Sequence, residues 1–288
     1  MLRATGLIAL GLLVGSCGVT RPTVDDVPTR SDLAPSFVAD SDAVLFIHEA
    51  ASSSESMPSG IYIASLASGH ARLVLRAYSQ GVDWIPGTDS AVVALGGGVA
   101  VVALADGSGH RVVAHDAFEP RSSRDGRYIS FHGGGDYPDN YGHVYVFDRA
   151  TGELSDVTPD TMACSAASWS PSGEQLAMVG SSRARSGVFV VTRSGVVVRQ
   201  LTQTALLPRD TAWSPSGAWV AWTALAGSAV VISTMDTLGT HAATLTRGYL
   251  GMTWVHGDSS LVYSSVTSAG PRLFQIDMAT RTTRQLTF

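Results

Sequence analysis

The densest run of chemistry-bearing side chains is His132-Gly133-Gly134-Gly135-Asp136-Tyr137-Pro138-Asp139-Asn140-Tyr141-Gly142-His143, which gathers imidazoles, carboxylates and phenols in one short stretch. These residue types hold metals, bind ligands or anchor interfaces. His132, Asp136, Asp139 and His143 are of the right types for a metal, but their spacing matches no known ligand loop, and no metal is expected. Asp83, Arg121 and the pair Arg209-Asp210 place further charge in short segments between apolar runs. Hydrolytic chemistry lacks its parts: there is no Gly-x-Ser-x-Gly elbow, no Ser-x-x-Lys because the chain has no lysine, and no His-Glu-x-x-His. Gly96-Gly97-Gly98 reads as a tight hairpin and not as a phosphate loop, since no helix follows it. No catalytic residue and no cofactor are assigned.

The two cysteines have different surroundings. Met1-Leu2-Arg3 is followed by an apolar run from Gly6 to Gly15 and by Val14-Gly15-Ser16-Cys17. A basic start, a short apolar core and a small-residue end form an export signal, and the run is too short to span a bilayer. Because it ends on a cysteine it resembles the bacterial lipoprotein lipobox, which implies cleavage before Cys17 and acylation of that residue as a membrane anchor. Cys164 sits in Met162-Ala163-Cys164-Ser165-Ala166 with no neighbouring base, and is expected to be a small buried hydrophobe. With Cys17 acylated, no disulfide is available.

Formal net charge is −5, and all 19 cationic Lys and Arg residues are arginine. No dense basic patch speaks for nucleic acid. A content of 45% hydrophobic residues over 288 positions is enough for a substantial core in one folded domain. Gly18 to Leu33 is polar, with Pro22, Pro28 and Asp25-Asp26, and shows neither a two-residue nor a 3.6-residue period. The chain therefore divides into a signal peptide (1–16), a lipidated cysteine with a flexible tether (17–34), and a folded domain (35–288).

What positions the chemistry-bearing residues is a repeat. Trp169-Ser170-Pro171-Ser172-Gly173 followed by Leu176-Ala177-Met178 returns as Trp213-Ser214-Pro215-Ser216-Gly217 followed by Val220-Ala221-Trp222. Proline sets φ at the second position of a tight turn and glycine supplies the positive φ that closes it, so each copy is a hairpin between two strands. Weaker copies start at Phe37, Trp84, Ser122 and Trp254, with steps of 38 to 47 residues between successive anchors. That period is expected of four-stranded propeller blades. Second hairpins within the copies are expected at Ser68-Gly69, Asp106-Gly107, Thr151-Gly152, Ser194-Gly195 and Leu238-Gly239.

The copies resemble the WD40-like repeat of the TolB-like propeller family. Trp169 to Gly173 matches its turn, His143-Val144-Tyr145-Val146-Phe147-Asp148 its third strand, and Arg199-Gln200-Leu201-Thr202 and Arg284-Gln285-Leu286-Thr287 its last strand. The resemblance runs from about Ala34 to the end. It departs at Ser122, where tryptophan is expected, and at His256-Gly257-Asp258. The resemblance implies an all-β, six-bladed propeller of four-stranded antiparallel blades. The part that TolB itself plays in its complex is not carried over, because the segment before the blades leaves no room for TolB's preceding domain.

In that strand order, the loops joining outer to inner strands and those joining second to third strands share one face. Arg121, His132, Asp136, Tyr137, Asp139, Tyr141, Asp83 and Arg209 are expected there, near the mouth of the central channel, as contacts for a ligand. The anchor tryptophans are expected to be wedges between blades. The expected function is that of a lipid-anchored, monomeric, non-catalytic platform in the cell envelope, binding a protein, peptide or glycan. An enzyme of lyase or cyclase type, working in the channel, is the alternative; it needs several acidic or histidine side chains to converge there.

Overall fold

A computed structural model describes residues 30–51, 56–96, 98–113, 117–134, 142–160, 162–183, 185–202 and 208–287. Blade one is β1 (Arg30–Val38), β2 (Ala43–Ala50), β3 (Gly60–Ser65) and β4 (Ala71–Leu75). Blade two is β5 (Val82–Trp84), β6 (Ser90–Leu95), β7 (Gly98–Ala103) and β8 (Gly109–Val113). Blade three is β9 (Phe118–Ser122), β10 (Tyr128–Gly134), β11 (Gly142–Asp148) and β12 (Leu154–Asp156). Blade four is β13 (Ala163–Trp169), β14 (Gln175–Ser181), β15 (Ser186–Thr192) and β16 (Val197–Gln200). Blade five is β17 (Pro208–Trp213), β18 (Trp219–Ala226), β19 (Ala229–Asp236) and β20 (Ala242–Arg247). Blade six is β21 (Met252–Val255), β22 (Ser260–Thr267), β23 (Gly270–Asp277) and β24 (Thr283–Gln285). Each blade is one four-stranded antiparallel meander in chain order. The six inner strands touch in sequence, and β21 returns to β1. This is the expected six-bladed propeller.

The turn chemistry acts locally as the residue types dictate. Gly173 has φ 71° and its N–H donates to the Ser170 carbonyl at 3.0 Å, while the Gln175 N–H donates to Ser170 Oγ at 3.1 Å. The five glycines expected to close the outer hairpins, 69, 107, 152, 195 and 239, all have positive φ.

The core is divided into six wedges, one at each blade junction. Trp169 packs with Val144 and Val146 of blade three and Leu176 and Met178 of its own blade. Trp84 packs with Leu45 and Ile61 of blade one and Val93 and Val102 of blade two. Trp254 meets Ala221 and Ile232 of blade five. The anchors are thus wedges, and Cys164 is a buried member of the third-to-fourth wedge.

Among the described residues no blade is assembled from both ends of the chain. β1 begins at Arg30, so the last residues of the segment read as a tether become the inner strand of blade one. Closure is made by contacts between blades six and one. Ser264 Oγ donates to the Asp32 carbonyl at 2.9 Å, His256 Nε2 meets Asp42 Oδ1 at 2.6 Å, and Arg284 donates to the Leu66 carbonyl at 3.0 Å.

Candidate functional site

The inner strands enter the channel from the loop-rich face, and most of them break their ladder soon after entry. Register shifts lie between Leu33 and Ser36 in β1, between Ser165 and Ser168 in β13, and between Pro208 and Asp210 in β17; in β9 the pairing slips opposite Ser130 to His132. The residue three before the anchor has positive φ in five blades: Ala34 (50°), Gly81 (156°), Glu119 (51°), Ala166 (49°) and Gly251 (83°). A bulge of this kind re-aims side chains near a channel. At Glu119 it puts a carboxylate on a residue that takes up positive φ only at a cost.

Residues one before the anchor hold neighbouring blades together. Ser36 Oγ accepts the Trp84 N–H at 2.9 Å and Ser168 Oγ accepts the Trp213 N–H at 3.1 Å. Asp83 does the same with charge: Oδ2 accepts the Ser122 N–H at 2.8 Å and Oδ1 accepts from Ser36 Oγ at 2.6 Å. Arg121 and Ala212 have no side-chain acceptor to offer at this position. There the next tryptophan compensates, with Trp169 Nε1 donating to the Arg121 carbonyl at 3.1 Å and Trp254 Nε1 to the Ala212 carbonyl at 3.0 Å.

The freed Arg121 side chain passes blade four and reaches blade five, where its guanidinium lies 3.7 Å from Asp210 Oδ1. Asp83 and Glu119 complete a cluster of three carboxylates around one guanidinium, drawn from blades two, three and five. Burial pushes Asp83 and Asp210 above the usual carboxylate range, against the pull of Arg121. Asp210 accepts the Thr211 N–H at 2.8 Å, and the N–H groups of Met252 and Gly251 also bond to it, which favours its charged form. Glu119 is pushed up to about 7 by burial and by the Asp210 charge, with Arg121 opposing.

Of the expected contacts, Asp83 and Arg121 come together in this cluster. Arg209 does not join it: it is the unpaired residue at the bulge between Pro208 and Asp210, and its side chain is exposed while Asp210 is buried. His132 lies on β10, half-buried, with its ring 5.7 Å from Phe118 and its pKa lowered to about 4 by burial and by His143. It is therefore neutral at physiological pH. His143 pairs with Asp156 at 2.7 Å. Asp136, Tyr137, Asp139 and Tyr141 lie outside the described residues, as does Cys17. Among the described residues no three His, Cys, Asp or Glu side chains are placed to hold a metal ion.

Two participants escaped the sequence reading. Glu119 was findable: it stands at the offset from its anchor that glycine occupies at 81 and 251. Asp32, in the segment read as a tether, is fully buried and pairs with the equally buried His48 at 2.7 Å. The convergence of three carboxylates meets the requirement set for an enzyme in the channel. Asp83 and Asp210, however, use their oxygens on backbone N–H groups of the next blades.

A family model described as the TolB beta propeller domain matches residues 101–288. Among solved structures, a putative TolB from Agrobacterium tumefaciens is 18% identical, with 78% of this chain and 87% of that chain covered and a TM-score of 0.66. TolB from Acinetobacter baumannii is 19% identical, with 76% and 55% covered and a TM-score of 0.62, so this chain spans about half the length of that protein. An oligogalacturonate lyase in complex with manganese is 14% identical, with 90% and 79% covered and a TM-score of 0.61. At such identities the solved structures speak for the fold alone, whereas the family model spans well over half of the sequence: the chain belongs to the TolB beta propeller domain family.

Proposed function

We propose that this protein is a non-catalytic binding platform, held to a membrane outside the cytoplasm through an acylated Cys17, that takes a protein or peptide segment at its loop-rich face. The observation that carries the reading is the Arg121 cluster. Joining inner strands needs only neutral groups, as Ser36 and Ser168 demonstrate at two junctions. Gathering the half-buried Asp83, Glu119 and Arg121 with the buried Asp210 instead carries a desolvation cost that blade packing alone does not call for. A ligand that reaches into the channel mouth and exchanges hydrogen bonds with this cluster gives the charges a use.

The loop of blade three, with Tyr137, Asp139 and Tyr141, supplies the outer part of the surface in this reading. Aromatic and arginine side chains suit that role because they cover much area for few lost rotamers. Resemblance to TolB supports a protein partner in the envelope, and the use of Asp83 and Asp210 on backbone N–H groups supports binding over chemistry.

The test is affinity capture from detergent-solubilised envelope with the parent, with a Tyr137→Ser, Asp139→Ser, Tyr141→Ser variant, and with Arg121→Gln. Loss of the same captured proteins in both variants, with the loop variant melting like the parent, supports the reading. An unchanged set of captured proteins in both overturns it.

A further inference from the structure

β1 opens at Arg30, which pairs with Ala50 just before the loop that joins β2 to β3, so the first strand starts on the loop-rich face. As the inner strand of its blade it also starts beside the central channel, not at the outer rim. That start is fastened. Asp32 is fully buried, its Oδ1 meets His48 Nδ1 at 2.7 Å, and Ser264 Oγ of blade six donates to its carbonyl at 2.9 Å. Peeling these residues away would break both contacts and open the junction of the sixth blade with the first. The stretch before Arg30 therefore gains no length from the strand.

Residues 18 to 29 lie between Cys17 and this fixed point. A chain of that length reaches at most about 45 Å when fully extended. To bring the opposite face of the propeller to a membrane holding Cys17, it would first have to cross three strand spacings from β1 to β4, about 15 Å, and then pass down the side of the blade, about 25 Å for a strand of nine residues. That route takes nearly the whole reach and holds every residue extended, at a cost in conformational entropy. With the loop-rich face toward the membrane no such extension is required.

Resting on the acylated Cys17 of the proposed function, we infer that the loop-rich face, with the channel mouth and the Arg121 cluster, is turned toward the membrane, and that its partner is a segment of a protein embedded in that same membrane. The reach selects the partner as well as the orientation. A soluble domain of about 100 residues is about 30–35 Å across, so it fits between face and lipid only with the stretch near its limit. A segment rising from the bilayer meets the channel mouth at any shorter separation.

The full-length acylated protein, reconstituted on vesicles of phosphatidylethanolamine and phosphatidylglycerol that carry an acceptor-labelled lipid, reads the orientation. Donor fluorophores are attached through Ser268→Cys, in the exposed turn between β22 and β23 on the loop-rich face, and through Ser172→Cys, in the exposed turn between β13 and β14 on the opposite face. The label at position 268 is expected to be quenched at least about twofold more than the label at 172. Equal quenching, or stronger quenching at 172, in vesicle-bound protein overturns the orientation and leaves the anchor standing. A parent that stays off the vesicles, as Cys17→Ser is expected to, overturns the anchor and the orientation with it. Inserting about thirty Gly and Ser residues between Thr29 and Arg30 is expected to abolish most of the difference, and a difference that persists overturns the short reach as its cause. Capture from solubilised membranes and from soluble envelope extract, kept separate, reads the partner. Proteins that the parent retains and Arg121→Gln loses are expected from the membrane fraction, and finding them only in the soluble extract overturns a membrane-embedded partner.

Discussion

Gly251 lies against Ala34 so closely that a Cβ on it would stand 2.5 Å from Ala34 Cα, which makes the junction of the sixth blade with the first a contact only glycine can make. Gly251→Ala is expected to destabilise by more than about 2 kcal/mol, from strain at φ 83° and from the backbone shift together. Gly257→Ala is the control. It has φ 70° but nothing within 4 Å of the added atom, so its cost is the φ strain alone, about 1 kcal/mol. Chemical denaturation of both variants separates the two contributions, and equal losses would remove Gly251 from ring closure.

Glu119 is expected to make stability fall as pH rises. Its folded pKa of about 7 stands above its ordinary value of 4.5, so between these values the folded state holds more protons than the unfolded state. Stability contributed by this group is then fully present below about 4.5 and lost as pH passes through 7. Glu119→Gln is expected to gain on the order of 1–3 kcal/mol over the parent at pH 8 and to lose the decline between pH 5 and 7. Glu119→Gly adds relief of the positive φ, about 1 kcal/mol more at any pH. Parallel melting curves of parent and Gln variant across this range would contradict the assignment of the proton to Glu119.

Trp169 combines area with one hydrogen bond to Arg121. Trp169→Ala is expected to cost about 3–5 kcal/mol. Trp169→Phe keeps most of the area and leaves the Arg121 carbonyl without its 3.1 Å donor, for about 1 kcal/mol. Urea titrations of the two variants give the split directly, and a Phe variant as unstable as the Ala variant would mean that shape, not burial, decides this wedge.

Cys17→Ser is expected to release the protein from the membrane fraction or to leave an uncleaved precursor, as acylation of that residue requires. Fractionation followed by mass determination reads both. A processed serine variant that stays with the membrane would refute the anchor.

The sequence by itself determined the repeat, the number of blades and where each hairpin turns. These depend on neighbours in the chain: a proline and a glycine decide a turn through their own φ, so Ser170-Pro171-Ser172-Gly173 reads correctly without knowing what lies around it. The anchor tryptophans were legible as wedges for a related reason, since a large ring recurring at the blade period has a junction to fill. Asp83 and Arg121 were legible as channel residues from strand order, but not what they meet. The tertiary structure alone decided that Arg121 passes blade four to face Asp210, that Arg209 turns outward, and that Glu119 carries a carboxylate on a left-handed residue. Each depends on a bulge that shifts an inner strand by one residue, and one residue of shift sends a side chain to the other face of its strand. Asp32 was misplaced for the same kind of reason. Its segment has no strand period of its own and becomes a strand only because β2 supplies hydrogen bonds and blade six supplies a surface.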